Sequence, residues 1–488
     1  MRLSGVAVAG LHLSGKKKPN IVFILTDDQD LHLQSLDYLP LIKKHLIDKG
    51  TFYKRHYCTT AICCPSRVSL WTGKLAHNTN VTDVSPPYGT GPFPPGPLFV
   101  KQGLNEAYLP VWLQEAGYDT YYTGKLFNAH TVDNYDSPYP AGWNGTEFLL
   151  DPYTYMYLNA SFQRNRDPPL PPQTAANVAF NDHFYRQRLR VLQSVDELVD
   201  AVVRRLDQLG LLADTYLFYT TDNGFHIGQH RLQPGKECGF EEDINVPLIV
   251  RGPGVAPAHV ADRLVTAHVD LAPTILRLAG VDPARLRDHY GFDGEAIPLS
   301  RPAIDAAARS RHEHVTVEFW GFALSEGRAF PGHEERLLRN NTYKALRVIG
   351  DEYNLYYAVW CNNEHELYDL TTDPYQLNNL LRDSAKPPAT LLGVPFEKVV
   401  ARLDSLLFVL KSCKGQTCVR PWHALHPAGN VQNLHDALNP RFDVFYEQQQ
   451  KKVSFTRCEM GYLLDAEGPQ FETDGLVYRH GARWSEWV

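Results

Sequence analysis

Two groups of oxygen-bearing side chains stand at the ends of two apolar runs. NIVFILT (20–26) leads into Asp27-Asp28-Gln29-Asp30, and TYLFYTT (215–221) leads into Asp222-Asn223-Gly224. Polar residues just past the carboxyl ends of buried strands are where an α/β fold keeps its active site. Asp27, Asp28, Asp222 and Asn223 together offer three carboxylates and an amide oxygen, a set suited to Ca2+ or Mg2+ rather than zinc. Either pair alone also serves as a helix or turn cap; two pairs at equivalent strand ends favour a metal. A third feature is AICCPSRVSLWTG (61–73). Pro65 suits the first turn of a helix, so Cys63 falls at the helix start, where free N–H groups and the dipole favour an anion. Arg67, four residues on, shares that face and can brace a reacting group on residue 63 and contact oxyanions. The bland alternative makes Cys63 and Cys64 small core residues or disulfide partners.

The elements that must position these residues follow from periodicity. Leu39–Lys49 has helical spacing and stops at Gly50, and residues 64–74 read as a helix. Leu109–Ala116 is a further helix, and the short strand 119–123 runs into Gly124-Lys125. A long amphipathic helix covers 182–209, with Leu192, Val195, Val199, Val202 and Leu206 on one side. Residues 245–250 read as a strand and 268–278 as a helix. This alternation predicts an α/β domain with a mainly parallel sheet over 19–330. Short strands at 343–348, 353–359 and 366–370 and a helix at 395–411 predict a smaller α+β unit over 331–411, followed by an irregular tail over 412–488.

A formal net charge of −7 gives no basic footprint for nucleic acid. The 20 histidines are scattered rather than clustered as a zinc site requires. No run reaches the ~18 apolar residues of a membrane span. Residues 1–18 read either as a short secretory signal or as a frayed terminus. Eight cysteines, the pair in SCKGQTC and four glycosylation sequons, at Asn80, Asn144, Asn159 and Asn340, point to the secretory route. They also predict a Cys413–Cys418 disulfide.

Cys-x-Pro-x-Arg within residues 61–73 resembles the signature of the formylglycine-dependent sulfatases, in which the cysteine is oxidised to formylglycine. The likeness extends through PNIVFILTDDQD, GYDTYYTGKLFN, TDNGFHIGQHR, PGKECGFEEDINVPLIVRGPG, HVDLAPTIL and ELYDLTTDPYQLNNL. It is greatest toward fungal arylsulfatases, with glucosamine-6-sulfatases as animal relatives. The resemblance implies an alkaline-phosphatase-like α/β fold, a mainly parallel sheet sandwiched by helices. It implies that Asp27, Asp28, Asp222 and Asn223 bind Ca2+ together with the modified Cys63. Lys125 and Lys236 would hold the sulfate and help the leaving oxygen depart, Arg67 would stabilise the formylglycine, and His226 is the candidate proton donor. An aldehyde hydrate has two hydroxyls; one attacks sulfur, and deprotonating the second expels sulfate, an exit that a thiol lacks. The implied partners are a small aryl sulfate or sulfated sugar and, during maturation, a formylglycine-generating enzyme. The implied location is extracellular or vacuolar/lysosome-like.

Two departures stand out. Where many arylsulfatases carry a histidine two positions after the lysine, this chain has Phe127, with Asn128 and His130 as the nearest polar substitutes. The family pattern also places a buried strand and an active-site histidine before the helix at 182–209. Here residues 159–165 run almost directly into Pro168-Pro169-Leu170-Pro171-Pro172, as a deletion near 165–170 would leave them. His183 lies nearby in a helical context. The expected activity is sulfate monoester hydrolysis. The alternatives are a phosphomonoester or phosphonate ester hydrolase of the same superfamily, or a sulfatase-like protein impaired by the missing segment.

Overall fold

The computed structural model describes residues 6–10, 18–84, 88–89, 98–131, 138–149, 174–232, 234–308, 310–321, 340–382, 387–447 and 451–471. Eight strands make the main sheet: β1 (Val6–Gly10), β2 (Asn20–Thr26), β3 (Thr51–Tyr57), β4 (Asp119–Gly124), β5 (Gly145–Phe148), β6 (Thr215–Thr221), β7 (Leu248–Arg251) and β8 (His259–Ala267). Their order is β5-β4-β1-β2-β6-β7-β3-β8. Pairings β2–β6, β3–β8 and β4–β5 are parallel, whereas β1 and β7 run antiparallel to both neighbours. The run VAVAG, expected as part of a signal or frayed end, is instead a strand between β2 and β4, with Val6 opposite both Ile24 and Thr123.

Helices cover both faces, as the unbroken apolar strands require. One layer holds α1 (Cys63–Thr72), α2 (Leu109–Glu115) and α4 (Leu271–Leu278); the other holds α3 (Ala175–Gln208). Alternate side chains of β2 divide between them. Phe23 and Leu25 join Trp71, Trp112 and Ile275, while Val22 and Ile24 join Leu192, Val195 and Val199 of α3. Thr174 caps α3 by accepting from the Asn177 N–H, so the helix begins seven residues before the apolar pattern marks it. No described helix is long and apolar enough to cross a membrane.

The second sheet is antiparallel, in the order β12 (His365–Asp369), β11 (Asn354–Trp360), β10 (Tyr343–Ile349) and β9 (His314–Phe319). Helix α5 (Phe396–Leu410) packs in the same core. Because β9 belongs to it, this unit begins before the boundary expected at 331. The expected Cys413–Cys418 disulfide forms, and Cys361–Cys458 ties β11's end to the tail.

A buried ionic cluster joins the two units. Glu318 of β9 accepts from Lys344 at 2.8 Å and meets His77 Nδ1 at 2.8 Å, while His77 Nε2 meets the Cys413 carbonyl. Burial raises the Glu318 carboxyl, but the His77 and Lys344 charges outweigh it and hold it at about 2. Burial opposes the His77 charge, yet Glu318 raises its pKa from 6.5. The carboxylate therefore contributes stability above its unfolded value of 4.5 and loses it as pH falls toward 2. The imidazolium contributes fully below 6.5 and is lost as pH rises through its raised folded value. The stability gap between the native chain and His77→Gln should thus be widest between those two unfolded values and narrow at higher pH. Urea midpoints across pH test this; a gap that widens toward pH 9 contradicts the sign.

Candidate active site

Parallel pairing of β2 with β6 aligns Thr26 with Thr221 and sets the two acidic turns side by side. Asp28 adopts a left-handed backbone, φ 60°, a conformation Asp tolerates better than most residues. Its N–H donates to Asp222 Oδ1 at 3.1 Å, and Asn223 Nδ2 donates to Asp28 Oδ1 at 2.7 Å. Gly224 is required here, because a Cβ would lie 2.0 Å from the Glu242 carbonyl oxygen. Asn223 Oδ1 is buried with no hydrogen-bond partner among the described residues. A buried amide oxygen that accepts no hydrogen bond is chemically suited to accept a cation.

The first turn of α1 brings Cys63 against this cluster. Its Sγ lies 3.6 Å from Asp27 Oδ1 and 4.0 Å from Asp28 Oδ1, and the ligand atoms of these three residues fall within 4.8 Å of one another. Burial pushes the Cys63 thiol well above its usual range despite Lys125 and Lys236. The unmodified side chain is therefore a protonated thiol, a poor nucleophile.

Three cations surround it. Arg67, fully buried, donates from Nε to Asp222 Oδ2 (2.7 Å), from Nη2 to Asp27 Oδ1 (3.0 Å) and from Nη1 to the Lys125 carbonyl (2.7 Å). Lys125 Nζ stands 3.1 Å from both oxygens of Asp27. Lys236 Nζ stands 2.5 Å from Asp28 Oδ1 and 3.0 Å from Cys63 Sγ. Burial opposes ionisation of Asp27, but Lys125 and Arg67 hold its carboxyl well below 3.8. Asp222 is pushed up to about 7 by burial and by the Asp27 charge.

The strip carrying Lys236 is pinned on both sides. Gly235 and His226 exchange backbone hydrogen bonds, and the Glu237 and Cys238 N–H groups donate to the Ala61 carbonyl and to Asp243 Oδ2. His226 Nδ1 is 2.8 Å from Asp243 Oδ1. These contacts tie His226 to the scaffold of Lys236.

Asp27, Asp28, Cys63, Arg67, Lys125, Asp222, Asn223 and Lys236, all proposed from the sequence, meet in one cluster, and His226 is bonded to Asp243 on the scaffold of Lys236. Phe127 packs on Phe99, centroids 4.9 Å apart, and His130 stands edge-on to Phe148 at 4.8 Å. Asn128 is buried, and His183 is exposed on α3. The proposed deletion, near 165–170, lies outside the described residues.

Ser66, His268 and Arg188 escaped the sequence reading. Ser66 Oγ donates to the Asp222 carbonyl and accepts from His268 Nδ1 at 2.9 Å. Burial drives His268 down to about 3, so it is neutral. HVDLAPTIL matched the family pattern around His268, but nothing in its local spacing pointed toward Ser66.

The family model described as Sulfatase matches residues 19–168 and 151–281. The two matched pieces overlap at the stretch where the sequence departs from the family pattern. The chain is 38% identical to "Sulfatase ppz1" of Metarhizium majus, over 91% of this chain and 96% of that one. It is 32% identical to an "Arylsulfatase" of Volvox carteri, over 88% and 80% respectively. A human "N-acetylglucosamine-6-sulfatase" is 29% identical over 84% of this chain and 87% of its own. Among solved structures, a 2-O GAG sulfatase superposes with a TM-score of 0.51 at 19% identity, covering 75% of this chain and 88% of that one.

Proposed function

This chain belongs to the sulfatase family, and from that premise we propose how its own residues hydrolyse a sulfate monoester at a formylglycine made from Cys63 beside a bound Ca2+. The observation that carries the reading is Cys63 at a helix N-terminus, held between the acidic cluster and Lys236. The donor set fits calcium: ligand atoms of Asp27, Asp28 and Cys63 fall within 4.8 Å of one another, and Asn223, whose amide lies against Asp28, has a buried Oδ1 that accepts no hydrogen bond from the described residues. Asp222 retains one lone pair after accepting from the Asp28 and Asn223 N–H groups and from Arg67. Calcium would supply positive charge to the sulfuryl oxygens and formylglycine a hydrated-aldehyde nucleophile; Cys63 Sγ stands in for the latter's reactive oxygen.

The chain's own groups do the rest. Arg67 neutralises Asp27 and Asp222 and fixes the residue-63 side of the pocket. Lys125 and Lys236 bind the sulfuryl oxygens, and Lys236 Nζ, 3.0 Å from Cys63 Sγ, is placed to give a proton to the leaving oxygen. We assign His226 to holding the Lys236 strip, a role its Asp243 and Gly235 contacts support.

A sulfated sugar is the natural substrate class we favour, on the strength of the glucosamine-sulfatase likeness, with aryl sulfates as assay substrates. Two disulfides support passage through an oxidising secretory compartment, with an extracellular or vacuolar destination. A formylglycine-generating enzyme is the maturation partner this reading requires.

The test is the mass of the Cys63 peptide from chain secreted by a eukaryotic host, paired with initial rates on chromogenic sulfate and phosphate esters. Loss of sulfur with gain of an aldehyde oxygen, and preference for the sulfate ester, are expected. Preference for phosphate would overturn the substrate assignment. A formylglycine-bearing, folded chain with no turnover would leave a site that binds without hydrolysing.

A further inference from the structure

Arg188 reaches the site from α3, on the far side of the sheet's carboxyl edge. The residue is buried, its Nη2 donates to the backbone carbonyl of Asp28, and its Nη1 stands 2.5 Å from Asp30 Oδ1. The guanidinium lies over the Phe225 ring, 5.2 Å from the centroid. Asp30 is itself fully buried, and its second oxygen accepts the Leu33 N–H. One planar fork therefore spans the turn after β2, gripping it at two points and resting on the turn after β6.

The gripped residue is the one with a left-handed backbone. For a residue bearing a Cβ that conformation is unfavourable and persists only where surroundings hold it. Asp28 Oδ1 is also where Lys236 and Asn223 Nδ2 converge, at 2.5 and 2.7 Å. If the Asp28 peptide relaxed toward negative φ, its carboxylate would swing away from Asp27, Asn223 and Cys63. The charge of Arg188 meets that of Asp30, so the clamp does not set an uncompensated cation against an incoming one.

We propose that Arg188 is a positioning residue of the metal centre, holding Asp28 in its left-handed conformation so that its carboxylate faces the cation. This rests on the calcium reading above. A merely structural role for Arg188 would lower the stability of the calcium-free and calcium-loaded chains alike and leave metal affinity unchanged.

The experiment uses the full-length chain, with Ca2+ affinity read by calorimetry and by the calcium-dependent rise in melting temperature. Arg188→Met should weaken calcium binding at least tenfold, and Arg188→Lys, which keeps a donor for the Asp28 carbonyl but loses the fork, should fall between. Since Arg188→Met alone leaves Asp30 buried without its partner, the pair Arg188→Met with Asp30→Asn is measured too; it should fold and still lose affinity. Folded variants with native calcium affinity would overturn the proposal. If the native chain itself takes up no calcium, the metal reading fails and this inference with it, an outcome distinct from the first.

Discussion

Cys63→Ala should leave a folded chain whose turnover of an aryl sulfate falls by about 10⁴-fold or more, the scale seen when a covalent nucleophile is removed. The side chain is buried at the start of α1, and trading a neutral thiol for a methyl group removes no ion pair. Stability should therefore shift by about 1 kcal/mol or less. Cys63→Ser separates two explanations of the loss. A serine hydroxyl in the same place can accept a sulfuryl group, yet it has no second hydroxyl through which to release it. That variant should liberate at most one equivalent of phenol per chain and hold a stable sulfate ester on residue 63. Multiple turnovers by Cys63→Ser, read as phenol released beyond one equivalent, would contradict the assignment of release to a doubly hydroxylated carbon.

Arg67→Leu should act on stability as strongly as Cys63→Ala acts on rate. Arg67 is wholly buried and bonds both Asp27 and Asp222. Removing one partner of a buried ionic group leaves uncompensated charge, at a cost of roughly 3–5 kcal/mol. The deficit has a pH signature. Without the guanidinium, Asp27 loses part of what holds it below 3.8 and Asp222 is raised further, so the variant gains less stability than the native chain as its carboxyls ionise. Urea midpoints measured in chelator should therefore converge with the native chain toward acid and diverge toward neutrality. Arg67→Lys should recover only part of the loss, since a point charge cannot span Asp27, Asp222 and the Lys125 carbonyl at once. A deficit independent of pH would mean that packing, not charge, is what Arg67 supplies.

Legibility in the sequence followed the range of the contacts involved. NIVFILT and TYLFYTT announced buried strands ending in acid because everything needed lay within nine residues. Cys63 and Arg67 were legible as one face of a helix for the same reason. Lys236 gave no local sign. Its place depends on the Glu237 N–H reaching Ala61 and on His226 pairing with Gly235, so only the family likeness singled it out. Arg188 is one of several cations along α3, most of them exposed, and apolar periodicity does not mark a charged residue turned inward. Strands β3 and β8 were missed because Lys54, Arg55 and Arg263 interrupt their apolar pattern, and β1 because five small residues with a terminal glycine carry little strand signal.

The distance in sequence between β2 and β6 sets a timetable. Thr26 and Thr221 are 195 residues apart, so the two halves of the acidic cluster meet only after almost half of the chain has been made. Pairings of that span form late, because the entropy of closing the loop must be met before any contact rewards it. About 160 residues separate Cys63 from the end of β6, roughly 10–30 s of synthesis at ~5–20 residues per second. Afterwards Cys63 is 4% exposed and walled in by Asp27 and Lys236. On the formylglycine reading proposed above, the maturation enzyme would have to work on the nascent chain, in competition with closure of the sheet. A variant that folds faster could thus emerge more stable and less active.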